Sequence, residues 1–61
     1  MTKSEIKVAT LETLKKVEPV EELPTFIRVL KVQTLFRLML GEISKETADT
    51  ILDTIKEFWG E

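Results

Sequence analysis

The chain has 61 residues, of which 43% are hydrophobic and 33% charged, with a formal net charge of -2; a chain this short buries only about 60% of its unfolded surface, so one domain, 1–61, is the limit. The absence of cysteine and histidine removes disulfide frameworks, zinc fingers, thiol nucleophiles and imidazole bases. The slight acidic excess is not the charge balance of a dedicated nucleic-acid binder.

No membrane span is expected, because the longest apolar run is Leu38-Met39-Leu40, far below the roughly 20 residues such a helix needs. Charges at Lys3, Glu5 and Lys7 leave no apolar leader core, so a cytoplasmic location is expected. Asn is absent and Gln33 is the single Gln, a composition that fits a protein kept hot.

Thr2-Lys3-Ser4-Glu5 has the form of a capping box, in which hydroxyl and carboxylate each satisfy a free backbone N–H. A first helix over about 3–17 is therefore expected. Its stripe of Ile6, Ala9, Leu14 and Val17, with Leu11 at the edge and Val8 off it, is ragged. A rival reading comes from the alternation of Ile6 and Val8 with Lys7 and Ala9, which suits an edge strand. A strand followed by two helices resembles the ribbon-helix-helix DNA binders, and that resemblance implies DNA contact through the strand.

Pro19 and Pro24 bracket Val20-Glu21-Glu22-Leu23 and disfavour helix at the residue before each, which makes this segment a linker. A second helix is expected over 24–40, or from Pro19 with a kink at Pro24. Residues 26–40 carry ten apolar side chains. At about 100° per residue, Val29, Val32, Phe36, Met39 and Leu40 form one face, extended by Phe26 and Leu30, while Ile27, Leu35 and Leu38 project to the other side near Arg28, Lys31 and Thr34. The larger face is expected to be core, with this helix sandwiched between the other two. The smaller strip, Ile27, Leu35 and Leu38 with Lys31, is then the candidate protein interface. Gly41 closes the helix as a left-handed cap.

The third helix, over 44–59, is the best specified: Ser44 caps it, and Ala48, Ile51, Leu52, Ile55, Phe58 and Trp59 follow the helical template up to Gly60. The short connection from Gly41 to Ile43 folds the last two helices into a hairpin, which completes an all-α, three-helix bundle. Glu46, Asp49, Asp53 and Glu57 stack along its polar side and read as a solvated face. Thr47, Thr50 and Thr54 form a neutral stripe beside them.

Catalysis is not expected, since the hydroxyls of Ser4, Ser44 and the threonines have no base to activate them. Neither metal nor cofactor is expected, because a helical stripe spreads its carboxylates instead of converging them on a cation. The expected role is a non-enzymatic protein-interaction module, either a homodimer or a small accessory subunit of a larger assembly. The alternative is a small DNA-binding regulator, of ribbon-helix-helix type or of helix-turn-helix type, which residues 29–59 resemble in outline. Its nucleic-acid contacts would be Lys3, Lys7, Lys15, Lys16 and Arg28, because the third helix is too acidic to enter a groove.

Overall fold

A computed structural model describes residues 2–60; Met1 and Glu61 lie outside the described residues. The described residues form three helices, α1 (Lys3–Lys15), α2 (Leu23–Met39) and α3 (Lys45–Trp59), with a single 3-10 turn over Val20–Glu22 ahead of α2. This is the all-α bundle expected. No strand is present among the described residues, and residues 6–10 lie inside α1. The strand reading, and with it the ribbon-helix-helix outline, is therefore corrected: the capping box starts a helix before the Ile6/Val8 alternation can act.

The box forms as its sequence demands. The Glu5 N–H donates to Thr2 Oγ1 at 3.2 Å, and the Thr2 N–H donates to Glu5 Oε1 at 3.0 Å. At the other end α1 stops at Lys15 with Lys16 as cap, two residues short of the expected limit. The Glu18–Pro19 peptide is cis. Pro24 then sits within the first two positions of α2, where a proline's missing N–H leaves no intrahelical bond unmade; the helix needs no kink.

α2 ends in a full Schellman arrangement. The Gly41 N–H donates to Leu38 O at 3.1 Å and the Glu42 N–H to Arg37 O at 3.0 Å, while Gly41 takes a φ of 75° that costs a glycine little. Ser44 caps α3 by accepting the Thr47 N–H at 3.1 Å. Gly60, at φ 85°, ends it.

The helices run up, down and up. Lys3 lies beside Ser44 and Thr47 at the start of α3, whereas Leu14 packs with Ile55 and Phe58 near its end, so α1 and α3 are parallel and α2 opposes both. The closest packing is α1 on α3, followed by α2 on α3. The helix in the middle of the bundle is thus α3, not α2 as expected. Its buried positions span both the apolar face, with Ala48 and Ile55, and the threonine stripe, with Thr50 and Thr54.

The core lies at one end, where Leu14, Leu23, Ile27 and Ile55 meet and Val17, Phe26, Leu30, Ile51 and Phe58 close around them. The remaining buried positions are small: Thr10, Thr34, Ala48, Thr50 and Thr54. A buried hydroxyl must be satisfied, and each threonine does so within its own helix. Thr10 donates to Ile6 O (2.8 Å), Thr34 to Leu30 O (2.8 Å), Thr50 to Glu46 O (2.9 Å) and Thr54 to Thr50 O (2.7 Å). With the hydroxyl turned back to the carbonyl four residues earlier, each side chain is left to pack through its methyl group.

Candidate functional site

The inward side of α2 takes in Ile27 from the strip expected to be outward, but not Leu35. Leu23, Ile27 and Thr34 are buried, with Leu30, Lys31 and Leu38 half-buried beside them. Of the face expected to be core, Phe26 and Leu30 are half-buried against the core cluster, but the rest is open: Val29, Val32, Phe36 and Leu40 are exposed, and Met39 is 83% exposed. Leu35, also exposed, widens this face on one side. Six large apolar side chains therefore stand on one surface of one helix.

Of the four residues expected at a protein interface, only Leu35 lies on the open face. Ile27 is 3% exposed and belongs to the core cluster, so its assignment to an interface is corrected. Leu38 and Lys31 flank the inward strip. The inversion has a physical cause. α2 is apolar on both sides, so its amphipathicity does not choose a face, and Thr34 does not oppose burial because Leu30 O receives its hydroxyl. No signal within α2 distinguishes the two sides; the choice is made by where α3 packs.

The open face is large for a single chain. Scaling the six side chains by their exposures gives roughly 650 Å2, against about 300–600 Å2 for the largest apolar patch on a typical monomer. Arg28, exposed, is at its edge. At its N-terminal end the face runs into a groove of about 660 Å3 between the end of α1 and the start of α2. Val17, Phe26 and Val29 supply apolar lining, and Lys16, Glu18 and Glu22 also line it.

The cations expected to contact nucleic acid are exposed but not gathered. Lys7 Nζ is 3.1 Å from Glu57 Oε2. Lys3 borders a depression shared with Glu46, Asp49 and Asp53, while Lys15 and Lys16 lie at the far end of α1 and Arg28 is on α2. The acidic stripe of α3 thus runs beside the N-terminal half of α1 and offsets its charge. Among the described residues, no three carboxylates converge into a group that could hold a metal ion, and no helix is long and apolar enough to cross a membrane. The Glu5 carboxyl is held below the usual carboxylate range, first by the backbone N–H of Thr2 and then by its hydroxyl; this belongs to the helix cap.

Compared with known proteins, the chain matches no family model, no curated sequence and no solved structure.

Proposed function

We propose that the protein is a non-enzymatic interaction module that self-associates through the outward face of α2. The observation that carries this reading is the row Val29, Val32, Leu35, Phe36, Met39 and Leu40, all exposed on one helix. Burying apolar area returns about 25 cal/mol per Å2. Small chains without disulfide or metal commonly gain the missing burial by oligomerising. Two such faces together would remove at most roughly 1,300 Å2 from water, which reaches the lower part of the range of about 1,200–2,000 Å2 for stable protein interfaces. A second copy is the occupant that this area argument supports.

The nucleic-acid reading has less behind it, since Lys3 and Lys7 lie against carboxylates. Salt separates the two. Phosphate binding weakens steeply as salt rises, whereas apolar association does not depend on ionic attraction.

Light scattering across a concentration series is the test. A mass of twice 7.0 kDa that returns to a single chain in Phe36→Glu, with helical content retained, supports the reading. A single-chain mass up to high micromolar concentration refutes it.

A further inference from the structure

Helices that pack face to face adopt one of a few crossings, and the outward residues of α2 select among them. In the commonest crossing, near about -50°, rows of residues four apart interdigitate, whereas a shallow crossing near about +20° sets rows three apart against rows four apart. The row four apart through the middle of the open face is Arg28, Val32, Phe36 and Leu40, all exposed. Packing along it would put a guanidinium on the contact line and leave Val29 and Met39 off it, one to each side. The alternating row is Val29, Val32, Phe36 and Met39, spaced three, four and three, and all four are exposed and apolar. Viewed down the helix, Val32 and Phe36 stand about 20° to either side of the face's centre and Val29 and Met39 about 40°. This row zigzags along the axis, with Leu35 on one flank and Leu40 on the other.

The inward residues keep to the complementary positions. Ile27, Leu30, Thr34 and Leu38 are buried or half-buried against the bundle, so α2 is divided lengthwise into one stripe for its own chain and one left over. The stripe left over repeats every seven residues, Val29 with Phe36 and Val32 with Met39, a period over which a straight helix drifts by about 20°. A second helix follows such a stripe by crossing at a shallow angle. Area favours the same crossing. The open face reaches the lower part of the stable range only when all of it is covered, and a steep crossing that misses Val29 and Met39 forfeits both ends of the row, Met39 being the most exposed of the large apolar side chains.

From this division we infer that two copies of the chain pack α2 on α2 at a shallow crossing of about 20°, with Val29, Val32, Phe36 and Met39 of each interleaving along the whole row. The inference rests on the self-association proposed above and adds how the two helices meet. The row spans about 15 Å along the axis, shorter than a free-standing coiled coil, but helical bundles use this crossing to join helices that their own neighbours already hold in shape.

The two ends of the row decide it. Val29→Ala, Met39→Ala and, in the middle, Val32→Ala each remove apolar surface at an exposed site and put the best helix former in its place, so the fold is kept; far-ultraviolet circular dichroism of each variant checks this. Sedimentation equilibrium across a concentration series gives the dimer dissociation constant of each. The shallow crossing expects all three variants to weaken the dimer by about tenfold or more, because each copy gives up two or more buried side-chain atoms. A dimer weakened by Val32→Ala but unchanged by Val29→Ala and by Met39→Ala would overturn the crossing and leave self-association through this face standing. A dimer that none of the three weakens, or a single-chain mass for the unsubstituted protein, would overturn both.

Discussion

Thr34 and Phe36 are two residues apart on α2 and face opposite ways: the threonine is 3% exposed and the phenylalanine 57%. The larger apolar group is outside because α3 takes the other side of the helix, and the threonine tolerates the inside because its hydroxyl is returned to Leu30 O. The bundle thus keeps a modest core and leaves its widest apolar surface open.

Glutamate substitutions on opposite sides of the same helix should part ways as a result. Ile27→Glu places a carboxylate in the core cluster, where an unpaired charge is costly, and should abolish cooperative unfolding. Phe36→Glu and Leu35→Glu, on the open face, should leave helical content intact and lower the native mass. Circular dichroism and light scattering on the same samples read both effects. An Ile27→Glu variant that still melts cooperatively would reverse the facing of α2.

The packing of α3 supports a second contrast. Ile55 is fully buried, and truncating such a residue to alanine costs about 2–5 kcal/mol, against a total stability of about 3–9 kcal/mol at 0.05–0.15 kcal/mol per residue. Ile55→Ala should therefore remove most of the stability. Thr54→Val, one position earlier and equally enclosed, should stay within about 1 kcal/mol and lean towards stabilisation. It deletes a hydroxyl that bonds only to its own helix, and Thr50 O keeps its backbone donor. Urea melts of the two variants test this.

The capping box of α1 gives the pH dependence. The folded carboxyl of Glu5 is held below its ordinary range by the Thr2 N–H and hydroxyl, so its contribution is complete above the unfolded value and disappears as pH falls through the folded one. The first turn of α1 should fray as the pH is lowered through and below the ordinary carboxylate range, visible in the amide shifts of residues 3–7. Glu5→Gln keeps the reciprocal bond and should flatten that titration at this turn. An unchanged titration in Glu5→Gln would assign the fraying to other carboxylates.

The sequence was legible wherever local signals agreed. Thr2 and Glu5, Ser44, Gly41 and Gly60 mark helix ends with side chains or conformations that act within a few residues, and each acts as read. α3 was legible because Ala48, Ile51, Leu52, Ile55 and Phe58 share one side. α2 was not, because both its sides are apolar and the facing depends on a neighbour distant in the chain. Thr50 and Thr54 belong to a stripe whose sequence is merely neutral and hydroxylated, yet they are buried; a hydroxyl satisfied within the helix makes threonine behave as a small apolar residue, and nothing in its spacing announces that. The site followed the same division. The sequence predicts an apolar surface on α2 in excess of what three helices can cover, and Leu35 is on it, but Val29, Val32, Phe36, Met39 and Leu40, whose spacing predicts core, are exposed beside it.

The central position of α3 also bears on the order of assembly. α2 and α3 are joined by a tight, glycine-capped turn, so their contacts close a short loop at small entropic cost, whereas α1 meets α3 across the whole intervening chain. The α2–α3 hairpin should form first, with α1 docking last, and truncations at Ser44 and at Lys16 should differ sharply in what they leave behind. Until α1 arrives, one flank of α3, including Thr50 and Thr54, has no cover, so the late-docking helix is also the one whose detachment would open a second sticky surface.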